Sequence, residues 1–262
     1  MEIAGYALAI LIGLSLGLIG GGGSILTVPI LVYCFKIDPV IATTYSLFVV
    51  GITSSAGALS HYRKGNMNFK IAFVFGIPSL IAVFIMRKWV MPAVPHHLLN
   101  IGSFELTKPV LLMLVFAMLM LAASISMIRK KKEILVSDSQ LSYTKLVIQS
   151  IIVGIITGFV GVGGGFLIIP SLVLFAGLSM KKAVGTSLMV MTISSLLGVL
   201  GDVSRHAPID YKFLLLFSAF AIAGIITGSY LTKYISETKL KPAFGGFVLL
   251  MGIFILITTL TK

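Results

Sequence analysis

Charge is what this sequence has least of. Asp, Glu, Lys and Arg make up 11% of its 262 residues, against roughly 25% in an ordinary soluble domain. That shortage excludes a water-facing surface over most of the chain. Acids are the scarcer sign, with eight against twenty Lys and Arg. Glu2, Asp38, Glu105, Glu133, Asp138, Asp202, Asp210 and Glu237 all avoid the middle of the apolar runs. This excludes the midspan carboxylate that proton pumps commonly use. Cys34 is the single cysteine, so no intrachain disulfide can form. The start, Met1-Glu2-Ile3-Ala4, lacks a basic segment and a cleavage pattern, so the first apolar segment is expected to be retained rather than removed as a signal peptide.

What is present is hydrophobic, at 58% of residues. Val110–Ile128 and Phe213–Thr232 carry no charge at all, and runs of roughly 18 or more such residues cross a bilayer as helices. The short alternating segments of a membrane β-barrel are missing. The fold class expected is therefore an all-α membrane protein. The net charge of +12 sits in loops such as Arg129-Lys130-Lys131-Lys132, where Lys and Arg fix the cytoplasmic side. No nucleic-acid-binding motif accompanies it. The partners implied are the lipid bilayer and a small anionic solute, not nucleic acid, and no cofactor motif is present.

The chain repeats itself. Gly13, Gly17, Gly20, Gly22, Gly23, Leu26 and Pro29 align at a constant offset with Gly154, Gly158, Gly161, Gly163, Gly164, Leu167 and Pro170. The match runs on through Ala42/Ala183, Ser46/Ser187, Leu47/Leu188 and Gly57/Gly198. Chance pairing of apolar residues does not readily put five glycines and a proline in register. Two membrane halves follow, 1–128 and 146–262, joined by a basic linker, 129–145. The expected segments are Ile3–Ile19, Ser24–Phe35, Val40–Tyr62, Phe69–Met86 and Val110–Ile128, then Leu146–Val160, Phe166–Ala176, Ala183–Leu200, Phe213–Thr232 and Ala243–Leu260. The unmatched stretch Arg87–Lys108 reads as an interfacial loop, with Trp89 at headgroup depth.

Ser24–Phe35 reaches only about 18 Å as a helix. With its predecessor it forms either one broken crossing or a hairpin returning to the same face. If hairpins, one side collects Arg63, Lys64, Lys70, Arg129–Lys132, Lys145, Lys181, Lys182, Lys233, Lys239 and Lys241. That is nearly twice what the other side holds. Single crossings leave the two sides almost equal. Cytoplasmic enrichment in Lys and Arg favours the hairpins. Each half then has a Gly-broken hairpin and three crossings, about eight membrane segments in all. An odd number of crossings inverts the second half, puts both termini outside and makes the linker cytoplasmic. Inverted repeats are typical of secondary transporters.

The glycine clusters Gly20–Gly23 and Gly161–Gly165 interrupt apolar segments at matching places. Irregular backbone at membrane depth survives only inside protein or beside an aqueous cavity. Glycine also lets a ligand approach the main chain, and the helix N-termini that follow suit an anion. The expected substrate site is Gly22, Gly23, Ser24, Ser46, Gly163, Gly164, Gly165, Thr186 and Ser187. The competing role for glycines is helix packing, which fits Gly13, Gly17, Gly154 and Gly158. Other hydroxyls follow: Thr43, Thr44, Tyr45, Thr53, Ser54 and Ser55, then Thr192, Ser194 and Ser195. Bonding back to their own helices is the competing role for these. His61 and Asp202, at matched helix ends, are the candidates for proton transfer or gating. Neither cluster carries the Lys-Ser/Thr of a nucleotide-binding loop.

Gly20-x-Gly22-Gly23 and Gly161-x-Gly163-Gly164-Gly165, each followed by a proline, resemble the TauE/SafE family, as does Gly185-Thr186-Ser187-Leu188 with Tyr45-Ser46-Leu47 as its first-half version. The resemblance spans essentially the whole chain. Gly21 and Ser24 depart from their counterparts Val162 and Gly165. The resemblance implies export of sulfite or an organosulfonate across the plasma membrane by a multi-pass transporter. An anion channel would use the same helix ends and stays open as an alternative. An intramembrane enzyme fits less well, because no Ser–His pair, His-Glu-x-x-His or carboxylate dyad lies in the apolar segments.

Overall fold

A computed structural model describes residues 2–21, 23–101, 104–128, 143–203, 210–231 and 237–261. Residues 129–142 of the linker, and both terminal residues, lie outside the described residues. The first half forms α1 (Glu2–Ile19), α2 (Ser24–Tyr33), α3 (Pro39–Arg63), α4 (Phe69–Ile85) and α6 (Lys108–Ile128). The second forms α7 (Tyr143–Val160), α8 (Gly165–Ala176), α9 (Met180–Val203), α10 (Tyr211–Leu231) and α11 (Glu237–Leu260). Side chains start several of these helices. Asp38 accepts from the amides of Val40 and Ile41 at 2.8 and 3.4 Å, with Pro39 pre-set for the first turn. Asn68 and Asp210 cap α4 and α10 through the amides of Ile71 and Phe213. α8 stops at Gly177, whose φ of 63° is the left-handed end that glycine permits.

Among the described residues six helices are long and apolar enough to cross a membrane: Pro39–Arg63, Phe69–Ala93, Lys108–Ile125, Tyr143–Val160, Met180–Asp202 and Tyr211–Leu231. α1 and α2 hold shorter apolar stretches. The stretch read as an interfacial loop behaves differently from that expectation. α4 continues through a π turn, Met86–Val90, into the short α5, Met91–Ala93. Two antiparallel strands follow, β1 (His97–Ile101) and β2 (Phe104–Thr107). Met86, Val90 and Met91 keep the helix apolar past the charges of Arg87 and Lys88. Lys108 donates to the carbonyl of Met91 and ties the hairpin back to the helix. Trp89 is 55% exposed. Its ring stands edge-on to Phe84 at 6.1 Å with the Lys88 ammonium 5.4 Å above it.

α3 and α9 form the centre; 67% of their apolar windows is buried, against 39–44% for the other four spans. They run antiparallel: Thr44 meets Asp202, Gly51 meets Leu196, Gly57 meets Leu188, and His61 meets Gly185. α1 lies parallel to α10, with Gly13 on Ala221 and Ile225 and Gly17 on Ile225 and Gly228. α7 lies parallel to α4, with Gly154 on Ser79 and Ala82 and Gly158 on Val83 and Met86. These four glycines therefore serve helix packing. The neighbours form an exchangeable set: α1 with α10 answers α7 with α4, α3 with α10 answers α9 with α4, and α2 with α3 answers α8 with α9. α6 packs on α11. The two halves interlock rather than stand apart. Outward faces carry large apolar side chains such as Phe73, Ile77, Ile81, Ile148, Ile152 and Ile155, as a helix surface in lipid requires.

Candidate functional site

The two glycine breaks meet. A Cβ on Gly21 would overlap the carbonyl of Gly165 and the amide of Phe166, and a Cβ on Gly165 would stand 2.5 Å from the Gly21 Cα. The main chains thus touch directly, ahead of α2 and at the start of α8. Gly20, Gly161, Gly163 and Gly164 hold φ between 71° and 85°, a region that L side chains avoid. That turn geometry, with no side chain in the way, is what allows two irregular segments to approach so closely.

The expected site residues divide. Gly163 packs against Val50 of α3, and the Ser195 hydroxyl of α9 would lie 3.1 Å from a Cβ placed on it. Gly165 lies against Gly21. Gly23 and Gly164 instead face the helix that precedes them, Gly23 against Ile12, Ser15 and Leu16 of α1, and Gly164 against Thr157 of α7. Gly22 lies outside the described residues. Ser24 and Ser187 are buried, but their hydroxyls donate to the carbonyls of Gly21 and Val184, each at 2.8 Å. Thr186 accepts from the Asn68 amide at 3.0 Å, beyond the end of α3. His61 is buried at that same end, and its Nδ1 has no partner.

An anion needs donors that are not already committed. Among the described residues, buried hydroxyls without a hydrogen-bond partner include those of Ser46, Thr53 and Ser54 on α3, Thr157 on α7, Ser195 on α9, Thr27 on α2 and Ser218 on α10. Ser54 and Ser195 stand at equivalent places in the two halves, so the repeat supplies one such hydroxyl from each central helix. A buried polar group without a partner is costly and marks a place where a ligand or water is due. Sequence reasoning named both serines among the hydroxyls but ranked Ser46 and Ser187 above them. The register that aligned Ser46 with Ser187 aligns Ser54 with Ser195 as well.

Arg87 was missed, because the apolar run ends at Met86 and a charge there reads as the start of a loop. The π turn carries its guanidinium inward to 2% exposure. Nη1 donates to Thr43 at 3.0 Å and to Asp202 at 3.1 Å. Asp202 also accepts from the Thr44 hydroxyl at 2.7 Å. Asp202 is therefore fastened to α3 and to the π turn, at the opposite end of α3 from His61. Among the described residues no group of three or more His, Cys, Asp or Glu could hold a metal.

Interlocked halves, six long apolar helices and two broken ones meeting main chain to main chain define a multi-pass helical membrane protein. The chain belongs to the sulfite exporter TauE/SafE family, whose model matches residues 6–255. It is similar over nearly its whole length to proteins named as membrane transporters. A "probable membrane transporter protein" of Xylella fastidiosa is 28% identical, covering 94% of this chain and 91% of that protein. The "probable membrane transporter protein YdhB" of Bacillus subtilis is 30% identical, covering 92% and 96%. The archaeal "probable membrane transporter protein MJ0441" of Methanocaldococcus jannaschii is 26% identical, covering 95% of each. This chain is thus a membrane transporter. No solved structure matches it.

Proposed function

We propose that the chain is a secondary transporter that exports a small anion such as sulfite or an organosulfonate across the plasma membrane by alternating access. The observation that carries this reading is the main-chain contact of Gly21 with Gly165. It brings the starts of α2 and α8 together, with the uncommitted hydroxyl of Ser195 close to Gly163 and that of Ser54 at the equivalent place on α3. Amides at helix starts and serine hydroxyls give a dehydrated anion several donors at once. Gly165 makes the contact itself, and Gly163, two residues before it, faces Val50 and Ser195. Gly22, Gly23 and Ser24 precede or open α2, Gly164 precedes α8, and Ser46, Thr186 and Ser187 belong to the central helices that close around it.

The exchangeable packing supports inverted repeats. α3 and α9 hold the same place in the two halves yet run in opposite directions. With the basic residues cytoplasmic, both termini lie outside. Rocking one half against the other then exposes the contact first to one side and then to the other.

The test is counterflow in proteoliposomes with radiolabelled sulfite and methanesulfonate. Saturable, trans-stimulated exchange is expected. Unitary currents without saturation would make the protein an anion channel. No anion movement above empty liposomes would remove the reading.

A further inference from the structure

The fold does not need an ion pair where it has one. Gly161 faces the Arg87 Nη2 and the Thr43 main chain, whereas its counterpart Gly20 faces the apolar Val184 and Ile169. Val184 stands in the second half where Thr43 stands in the first, and the helix position answering Arg87 falls at the Gly228–Ser229 end of α10. The same packing is thus made once with apolar groups and once with a buried guanidinium. Burying an ion pair where apolar side chains serve the same geometry is often no gain in stability. That points away from folding as the reason for Arg87.

The bonding of Arg87 is also one-sided. Nη1 takes both partners, Thr43 and Asp202, while Nε and Nη2 are buried with no partner among the described residues. Nε–H and Nη2–H lie along one edge of the planar guanidinium and point the same way. That edge is the fork that receives two oxygens of one carboxylate, sulfonate or similar oxyanion. A chloride ion offers a single centre and gains less from the second donor. In this closed arrangement the edge is covered by the Gly161 segment, which belongs to the very break that must move for access.

We propose that Arg87 is an oxyanion-docking station beside the central contact, on the side where α3 begins and α9 ends. Asp202 and Thr43 hold one arm of the guanidinium. The Nε–Nη2 edge takes two oxygens of the anion when the Gly161 backbone moves aside. Under the topology proposed above this is the outer side, so the station receives the anion as it leaves the centre. The inference rests on that reading and adds to it a residue that grips the anion by two oxygens on one atom. Asp202 keeps the site nearly neutral, so that the anion is passed on rather than trapped.

The test uses purified full-length protein in lipid nanodiscs, with affinities for sulfite, methanesulfonate and chloride measured beside ligand-free thermal stability. Arg87→Lys keeps the charge and removes the fork. It is expected to weaken both oxyanions about tenfold or more and chloride by about threefold at most. Asp202→Asn should tighten oxyanion binding yet slow counterflow, an effect that a purely structural pair would not give. If Arg87→Lys does not fold, the neutral pair Arg87→Met/Asp202→Asn replaces it, with the same loss of oxyanion preference expected. Wild-type sulfite affinity in a folded Arg87 variant would overturn the station. The central site is read separately with Ser54→Ala/Ser195→Ala, which should weaken sulfite and chloride alike. If that variant loses affinity and the Arg87 variants do not, only the station falls. If the native protein binds none of the three anions, both readings fall.

Discussion

Gly21 and Gly165 lie main chain against main chain, and neither position has room for a single added carbon. Gly21→Ala is therefore expected to force the two breaks apart. Overpacking of this kind destabilises by about 1–3 kcal/mol. Differential scanning fluorimetry should show a lower melting temperature, and proteoliposomes should lose counterflow even where the protein is inserted. Wild-type melting and wild-type transport together would mean the contact is not part of the transport cycle.

Gly246 is the contrast. It sits inside α11, with no atom of the described residues within 4 Å of a Cβ placed on it. Gly246→Ala should leave transport intact and stabilise the protein by about 0.5–1 kcal/mol through helix propensity. A loss of transport there would show that bulk at glycines is harmful in general, and would weaken the interpretation of Gly21→Ala.

Ser195→Ala and Ser187→Ala should differ. Ser195 has no partner, whereas the Ser187 hydroxyl is committed to the Val184 carbonyl. A hydrogen bond to a charged group contributes about 1.5–3 kcal/mol, so removing the Ser195 hydroxyl should weaken anion affinity by roughly ten- to a hundredfold. Thermal stability should hold, because no bond of the ligand-free protein is lost. Ser187→Ala should change affinity by much less. Calorimetric titration of both variants decides; the reverse ranking would put Ser187, not Ser195, against the anion.

Both features of the centre that can be read from the sequence come from local signals. The glycine clusters interrupt apolar runs, and the repeat aligns them, so the broken helices and the packing role of Gly13, Gly17, Gly154 and Gly158 are legible. Which hydroxyl is uncommitted is not legible, because Ser54 and Ser187 look alike until the rotamer shows whose proton goes to its own helix. Arg87 was hidden for another reason. Its burial depends on a π turn that no composition signals and on Asp202, far along the chain in the other half. The strands 97–101 and 104–107 are too short, beside Pro95 and two histidines, to stand out from a loop.

The orientation proposed for the halves has a direct check. Cys34 is the only cysteine, so Cys34→Ser gives a clean background for single introduced cysteines. Lys212→Cys, at the start of α10, should react with a membrane-impermeant maleimide on intact cells. Lys70→Cys, at the start of α4, should react only after the cells are opened. The opposite pattern would turn the protein over, and equal reactivity would end the hairpin topology.

The π turn that brings Arg87 inward also carries Trp89 outward, two positions further on, and Trp89 is the single tryptophan of the chain. Indole emission from this protein therefore arises at one known place. Its ring is half exposed and stands against both Phe84 and the Lys88 ammonium, which itself lies over the Phe84 ring, so its colour and yield respond to small rotations of the turn. A titration with sulfite needs no label: movement at the turn changes the native fluorescence, and the half-saturation of that change is the affinity of whatever step moves it.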